Sequence, residues 1–399
     1  MAFDFDTIPN RRTTHSLKWR TYPEDVLPMW VADMDFRSPP AVLDSLHRAV
    51  DHGIFGYPDG IHGETNELVG LRRLIVDRLA ARYRWQVSTE DLVLLPGVIA
   101  GFNKACAALF RPDGAILVQP PVYPPILQAA EHVGMVRQDA PLLRNSDGSY
   151  EIDWDSFSSA ITKETRVFLL CNPHNPVGRV FTRLELERMA QICVERGVVI
   201  CSDEIHCDLV YRGHPHTPIA SISPEIAQNT ITLMSPSKTY NLSGLQCAFA
   251  VIQNPELRKR FQKAGEGLVG WVNLMGLVAA QAAFGDGPDW LSQLLAYLES
   301  NRDYAYDYVR REMGPITMSK PEGTYLAWLD CRQTDIPGDP YHFFLEQARV
   351  GLNDGKPFGI GGDGFLRFNF GCPRGMLSEA LERMKNALRD LPATEHSGR

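Results

Sequence analysis

The sequence predicts an α/β protein: a large domain built on a mostly parallel sheet, and a smaller α+β domain. Short apolar runs alternate with amphipathic, helix-like stretches through the middle of the chain, which is typical of a sheet covered by helices on both faces. Beyond about residue 285 this alternation stops. We therefore expect a large domain over residues 46–284 and a small domain formed by residues 1–45 and 285–399.

Six apolar runs predict the buried strands of the large domain. They are DLVLL (91–95), AILVQ (115–119), TRVFLLC (165–171), GVVICSDE (197–204), TITLMS (230–235) and QCAFAVI (246–252). In the small domain we expect a helix over about 288–312, the strand TYLAWLD, a helix near 340–350, the strand FLRFNF and a final helix. The first 45 residues contain Pro28, Pro39 and Pro40, and we expect them to be irregular and to pack against the small domain.

Composition excludes several classes of protein. The 399 residues carry 40 basic and 48 acidic side chains, for a net charge of −8, which argues against nucleic acid or an anionic membrane as the main partner. No apolar run approaches the roughly 20 residues of a membrane span, and the N-terminus lacks the plan of a signal peptide. The eight cysteines form no CxxC pair, so we expect reduced core thiols in a cytoplasmic enzyme.

Polar motifs follow the predicted strands at the edge where parallel sheets bind their ligands. Asp203 ends one strand in SDEIH, and Asn175 lies in the rigid turn CNPHNPVGR after the preceding strand. Lys238 follows another strand in SPSKTYNLSG. In LLPGVIAGFN a Pro-Gly turn opens a helix, whose free backbone N–H groups suit a phosphate. A lysine, a buried carboxylate and a phosphate site therefore meet at one sheet edge.

This combination is the set of groups that pyridoxal 5'-phosphate requires. The cofactor aldehyde needs a lysine, here Lys238, and its ring nitrogen needs a carboxylate, here Asp203. The phosphate is expected at the turn of Gly97, Val98 and Ile99 together with the hydroxyls of Ser235 and Ser237. Asn175 can donate to the ring oxygen, and Tyr123 in PPVYPP can stack on the ring.

The order of these motifs resembles that of the fold-type-I pyridoxal-phosphate enzymes, the aminotransferase superfamily, over nearly the whole chain. WVADMDF, NPHNPVGR, SDEIHCDL, SPSKTYNLSGL and FLRFNFGCPR are similar to the cystathionine β-lyase, or MalY/PatB-type C–S lyase, branch.

The resemblance implies roles for further residues. Arg367 in FLRFNF resembles the clamp of the substrate α-carboxylate, and Asp33 in WVADMDF is expected to contact the substrate. Tyr57 in FGYPDG resembles a tyrosine that reaches the phosphate of the neighbouring subunit, which implies a homodimer. His206 stands where most aminotransferases have a tyrosine, and Gln246 stands where many have a phosphate-binding arginine. Both departures agree with the lyase branch.

Less specific interpretations of these residues remain open. Lys238 can be a surface lysine, Asp203 a helix cap and Arg367 half of a structural ion pair. Tyr57 and Tyr123 can be ordinary packing residues. Another alternative is a metal site formed by Asp203 with histidines 206, 214 and 216. The run GIGGDG does not follow a strand, so it does not predict dinucleotide binding.

The resemblance implies a C–S β-lyase that converts L-cystathionine or a related S-substituted cysteine to pyruvate, ammonia and a thiol. A small amino acid is then the substrate, with no metal, nucleic acid or membrane as a partner. The alternatives are an aminotransferase on the same scaffold and a non-catalytic protein that keeps the fold to bind a partner.

Overall fold

The structure, a computed structural model, describes residues 2–58 and 66–391. The strands, in chain order, are β1 (Leu27–Pro28), β2 (Leu92–Leu95), β3 (Ala115–Val118), β4 (Val136–Asp139), β5 (Leu142–Arg144), β6 (Tyr150–Ile152), β7 (Thr165–Cys171), β8 (Val199–Asp203), β9 (Thr230–Met234), β10 (Ala248–Val251), β11 (Thr317–Met318), β12 (Leu326–Asp330), β13 (Val350–Gly351), β14 (Asn353–Asp354) and β15 (Phe365–Asn369).

The helices, in chain order, are α1 (Leu17–Arg20), α2 (Pro40–His52), α3 (Asn66–Tyr83), α4 (Val98–Ala108), α5 (Pro124–Val133), α6 (Trp154–Ala160), α7 (Arg183–Glu195), α8 (Pro224–Gln228), α9 (Pro236–Thr239), α10 (Pro255–Ala264), α11 (Leu274–Asp286), α12 (Pro288–Glu312), α13 (Pro340–Phe343) and α14 (Arg374–Arg389). Across residues 2–58 and 66–391, no helix is both long enough and apolar enough to cross a membrane.

In the described part of the chain, the large sheet has seven strands in the order β2-β10-β9-β8-β7-β3-β4. Strand β10 is antiparallel to both of its neighbours, and the other pairings are parallel. The predicted α/β class with a mostly parallel sheet is therefore confirmed. The edge strand β4 has no counterpart among the predicted runs, because its sequence, VRQD, is mostly polar and partly exposed.

The near-continuous apolar strands are explained by burial on both faces of this sheet. In β3, Ile116 packs into the cluster that contains Phe102 of α4, whereas Leu117 packs into the cluster with Phe157 of α6. Strand β7 alternates in the same way between the two clusters. Because successive side chains of a strand point to opposite faces, both sets must be apolar.

The small sheet has the order β11-β12-β15-β14 and is antiparallel. The predicted long helix is observed as α12. The helix expected near 340–350 is shorter: α13 is followed by a π-helical turn over Phe344–Ala348, and Arg349 then adopts a left-handed conformation that ends it.

The N-terminal segment is more regular than expected. It contains α1 and β1, and α2 starts at Pro40, where a proline at the first helical position favours a helix start. Strand β1 pairs in parallel with β13, Leu27 lying opposite Val350, so this segment does contact the C-terminal part of the chain.

Candidate active site

A cavity of about 370 Å³ lies at the carboxyl ends of the parallel strands. Strands β7 and β8 are paired so that Cys171 lies opposite Asp203, and Asp203 in turn lies opposite Leu233 of β9. The predicted residues that line the cavity are Gly97, Val98, Ile99, Tyr123, Asn175, Asp203, His206, Ser235, Ser237 and Lys238. The structure therefore brings together ten predicted residues from five separate segments of the chain.

Asp203 is a buried carboxylate that forms no ion pair with any of the described residues. It is 7% exposed, and in the described part of the chain its Oδ1 accepts a hydrogen bond from the backbone N–H of Ile205 at 3.1 Å. Burial raises the pKa of the Asp203 carboxyl to about 7, although that hydrogen bond and the Lys238 charge oppose the rise. The ionised form of this buried carboxylate is stabilised when a cationic group enters the cavity.

Lys238 follows β9 and belongs to the short helix α9. Burial lowers the pKa of its amine to about 8, with a further lowering by the charge of Arg367, while Asp33 and Asp203 act in the opposite direction. A substantial fraction of the amine is therefore neutral near physiological pH, which is the form that attacks an aldehyde or accepts a proton.

The main-chain carbonyl of Ala32 is the hydrogen-bond acceptor of the Lys238 amine. The Lys238 Nζ donates to this oxygen at 2.7 Å, and the hydroxyl of Tyr325 donates to it at 2.8 Å. The sequence analysis missed both Ala32 and Tyr325. A carbonyl oxygen has no side-chain signature, so only the fold reveals this contact.

Arg367 is a buried cation whose partners in the described part of the chain are neutral. Its Nη1 donates to Oδ1 of Asn175 at 3.0 Å, and its Nη2 donates to Oδ1 of Asn353 at 2.7 Å and to the carbonyl of Trp30 at 3.2 Å. Its Nε has no described partner. Burial lowers the pKa of Arg367 to about 10. Because no carboxylate neutralises it there, the guanidinium is suited to an anionic ligand.

The same contact orients Asn175. Asn175 lines the cavity, and because its Oδ1 accepts from Arg367, its Nδ2 amide group is available as a donor. The role of Asn175 as a donor to the cofactor ring stays a prediction.

The N-terminus of α4 forms the other end of the cavity. Gly97 is its N-cap, and the first N–H groups of a helix have no carbonyl partner within it. A Cβ at Gly97 would meet no atom within 4 Å, so the backbone here faces open space. An 11-residue helix directed at this space favours an anion.

The two serines near Lys238 are not equivalent. The Ser235 hydroxyl lies 2.6 Å from the carbonyl oxygen of Cys247 and 2.8 Å from the Ser237 hydroxyl, so protein groups already engage it. Since the Ser235 hydroxyl gives its one proton to the Cys247 carbonyl, Ser237 donates in the contact between the two hydroxyls, and a ligand in the cavity can replace Ser235 as its acceptor. Gln246 lines the same cavity, in a left-handed backbone conformation with φ 52°.

Two further predicted residues differ in their degree of burial. Tyr123 is half-buried at the N-cap of α5, and burial raises the pKa of its phenol. His206 is buried, with its ring 5.9 Å from that of Tyr325. Burial lowers the pKa of His206 to about 3, so its imidazole is neutral.

Three predicted residues do not line this cavity. Arg367 adjoins it through Asn175. The carboxylate of Asp33 is bound by Arg11, with an Nη2–Oδ2 distance of 2.7 Å, and its charge acts on Lys238 from a distance. Tyr57 is 85% exposed and packs edge-on against the ring of Trp271, with centroids 5.7 Å apart.

The histidines near Asp203 have separate environments. His216 is buried and its Nε2 lies 2.8 Å from Oε2 of Glu204, whereas His214 lies 3.7 Å from Glu322. Among the described residues, no three side chains of the metal-binding types are placed to hold an ion together.

Comparison with known proteins identifies the family. The model of the aminotransferase class I and II family matches residues 24–384. The chain belongs to this family. Pyridoxal phosphate is the cofactor of this chain.

Individual members of the family are similar over their full length. Cystathionine beta-lyase PatB of Bacillus subtilis is 37% identical over 396 residues, with 96% of this chain and 100% of PatB covered. A crystal structure described as OvoB shares 41% identity and a TM-score of 0.90, with 100% of both chains covered. Cystalysin from Treponema denticola, in a structure that contains pyridoxal 5'-phosphate, shares 30% identity and a TM-score of 0.92, with 98% of this chain and 100% of cystalysin covered.

The residues of this class I and II aminotransferase-family chain fit the cofactor. The carboxylate of Asp203 lacks a cation that a protonated ring nitrogen supplies, and the α4 N-terminus faces open space that a phosphate can fill. Lys238 lines the same cavity as these two features. The donor set therefore matches the ring, the aldehyde and the phosphate of pyridoxal phosphate.

Proposed function

We propose that this chain is a pyridoxal-phosphate-dependent C–S β-lyase that acts on L-cystathionine or related S-substituted L-cysteines. The reaction consumes one water and gives pyruvate, ammonia and the thiol, with no net oxidation or reduction. The observation that carries the proposal is that Lys238 and Asp203 line one cavity and that Arg367 adjoins this cavity through Asn175. The names of the relatives, cystathionine beta-lyase among them, support the reaction type.

The role of Arg367 follows from its unbalanced charge. The guanidinium binds the α-carboxylate of the substrate, because this is the buried cation whose described partners are neutral. Asn175, fixed by Arg367, donates to the oxygen of the cofactor ring. Substrate position and cofactor position are thereby set by two side chains in direct contact.

The role of Lys238 follows from its lowered pKa. Its neutral amine accepts the proton from the substrate Cα, and the carbonyl of Ala32 holds the amine beside the reacting atoms. When bound, pyridoxal phosphate supplies an aldehyde that links to the substrate amine and a ring that accepts electrons from Cα. Asp203 would stabilise the positive charge on the ring nitrogen, and Tyr123 would stack on the ring.

Loss of the thiolate from Cβ completes the elimination. The Cβ–S bond breaks with its electron pair going to sulfur, and the thiolate then takes up a proton. The remaining three-carbon unit is hydrolysed to pyruvate and ammonia.

The phosphate is held by the α4 N-terminus at Gly97, Val98 and Ile99 and by the hydroxyl of Ser237. The residues that line this end of the cavity include no arginine in the described part of the chain. A further donor is therefore expected from outside the single chain.

We infer that the active unit is a homodimer in which Tyr57 reaches the phosphate of the partner. Tyr57, Trp271, Phe55 and Leu268 are apolar side chains that are at least 61% exposed in the single chain. These side chains are exposed in the single chain because a second copy of the chain buries them in the dimer.

Two organisational features complete the proposal. Residues 46–284 form the cofactor-binding domain, and residues 1–45 and 285–399 form the small domain, since each part carries its own sheet. The protein acts in the cytoplasm, which is supported by eight cysteines that are all free and buried.

The test is to incubate cofactor-loaded protein with L-cystathionine and measure pyruvate and free thiol without any added keto acid. Catalytic formation of both products supports the lyase. Product formation only after addition of 2-oxoglutarate replaces the proposal by an aminotransferase. No turnover, together with an unchanged visible absorbance band in Lys238→Ala, supports the non-catalytic alternative.

A further inference from the structure

A second cavity of about 270 Å³ adjoins the candidate active site. We call it the ring-lined pocket, because five aromatic side chains line it, those of Tyr22, Trp30, Tyr123, Tyr341 and Phe358, together with Arg367. Tyr123 lines both cavities. The sequence motifs did not predict a common pocket for these rings, since they come from three distant regions of the chain, near residues 22–30, 123 and 341–358.

The pocket is held in shape by contacts among its own residues. The Tyr22 ring packs edge-on against Trp30, with centroids 5.7 Å apart and an interplanar angle of 69°, and its hydroxyl lies 3.3 Å from that of Tyr341. The Trp30 indole N–H donates to the carbonyl of Lys18 at 3.1 Å. Gly351 makes room for Tyr22, because a Cβ at this position would collide with the tyrosine ring.

Arg367 connects this pocket to the reacting part of the substrate. Its guanidinium carbon lies 5.2 Å from the centre of the Phe358 ring, and its Nη1 holds Asn175 of the first cavity. A substrate with its α-carboxylate on Arg367 therefore has the ring-lined pocket within reach of its remaining atoms.

We propose that the ring-lined pocket is a subsite for a planar aromatic ring carried on the sulfur of the substrate. The inference rests on the proposed function, because it takes an S-substituted cysteine as the substrate. Aromatic pairs contribute about 0.5–1.5 kcal/mol each beyond the burial of their area. Five rings around one small space thus favour a flat, uncharged group.

A charged amino-acid end, such as the distal half of cystathionine, fits this pocket less well. Asp354 is one acidic residue in the lining, and it can meet an ammonium group. Among the described residues that line the pocket, however, Arg367 is the cation, and it is engaged by the α-carboxylate. The distal carboxylate would then be buried without a cation to pair with, which is costly.

The test compares two substrates that differ in the group on sulfur. kcat/KM is measured for S-benzyl-L-cysteine and for S-methyl-L-cysteine in the cofactor-loaded wild type, in Tyr22→Ala and in Tyr22→Phe. We expect Tyr22→Ala to lower kcat/KM for the benzyl substrate by about tenfold and to leave the methyl substrate within about twofold, since one ring contact is lost. Tyr22→Phe keeps the ring and should keep the preference. Equal losses for both substrates in Tyr22→Ala would overturn the subsite.

A binding measurement separates this inference from the proposed reaction. L-Homophenylalanine has a ring but no leaving group at Cβ, and L-norleucine is its matched compound without a ring. We expect homophenylalanine to bind the loaded wild type more tightly than norleucine, as followed by the cofactor absorbance, and Tyr22→Ala to remove the difference. If homophenylalanine binds more tightly in this way but neither cysteine derivative gives pyruvate, the subsite is supported and the lyase reaction is rejected. Pyruvate formation with equal affinity for the two amino acids would reject the subsite and keep the lyase.

Discussion

Replacing Arg367 by methionine should separate its effect on the substrate from its effect on the fold. The fall of its pKa from 12.5 to about 10 corresponds to roughly 3 kcal/mol against the buried charge, at about 1.4 kcal/mol per tenfold. The substitution removes this cost. It also leaves Asn175, Asn353 and the Trp30 carbonyl without their donor, at about 1 kcal/mol each. These contributions nearly cancel, so the free energy of unfolding should change by less than about 2 kcal/mol.

The effect on catalysis should be far larger. An α-carboxylate on Arg367 receives two charge-assisted hydrogen bonds, each worth about 1.5–3 kcal/mol. Their loss lowers kcat/KM by roughly 10²–10⁴-fold. The assay is kcat/KM for L-cystathionine together with urea unfolding of the same preparations.

Arg332→Met is the matched control for this experiment. The Arg332 guanidinium also lies over an aromatic ring, 4.6 Å from the Phe365 centroid, but it is 48% exposed and pairs with Asp330. We expect its kcat/KM to stay within about threefold of the wild type. A destabilisation of Arg367→Met by more than about 4 kcal/mol, or an unchanged kcat/KM, would refute the reasoning.

The other predictions test Lys238, the buried pair behind Asp203, and the inferred partner subunit. In cofactor-free protein, the rate of acylation of Lys238 should rise with pH and level off above about 8, because burial lowers its pKa to about 8. Peptide mapping measures this rate, with the exposed Lys163 as the internal reference. A rate that continues to rise far beyond pH 8 would contradict the prediction. Glu204→Gln should destabilise the fold by about 3 kcal/mol in urea unfolding, since Glu204 is fully buried against His216. The same change at the partly exposed Glu187, which pairs with Arg183, should cost less than about 0.5 kcal/mol. Equal costs would show that the Glu204–His216 pair does not stabilise the fold. Tyr57→Phe should weaken pyridoxal phosphate binding by roughly tenfold, because one hydrogen bond to the phosphate is lost. An unchanged dissociation constant in a dimeric preparation would exclude the contact between Tyr57 and the phosphate of the partner.

The sequence was informative wherever a residue type at a strand end has a chemical meaning of its own. Asp203 and Lys238 stand out because a carboxylate or a lysine directly after a buried apolar run is unusual. The parallel sheet was predicted for the same kind of reason, since strands buried on both faces must be apolar throughout. Strand β4 escaped prediction because an exposed edge strand is under no such constraint.

Contacts between distant segments could not be predicted in this way. The carbonyl of Ala32 accepts hydrogen bonds from Lys238 and Tyr325 across separations of 206 and 293 residues, and the motif WVADMDF, in which Ala32 lies, does not indicate this contact. The ion pair of Lys18 with Asp35, both fully buried at 2.6 Å, likewise reads in the sequence as two ordinary surface charges.

By itself, the sequence determined the fold class and most of the chemical groups of the candidate site. Those depend on hydrophobic periodicity and on residue types, which are local properties of the chain. Only the tertiary structure decided how these groups are charged and which space they share. Burial sets the pKa values of Lys238, Asp203 and Arg367, and the packing of five rings from three distant regions of the chain creates the ring-lined pocket. Both depend on which segments pack together, and this is a property of the whole folded chain.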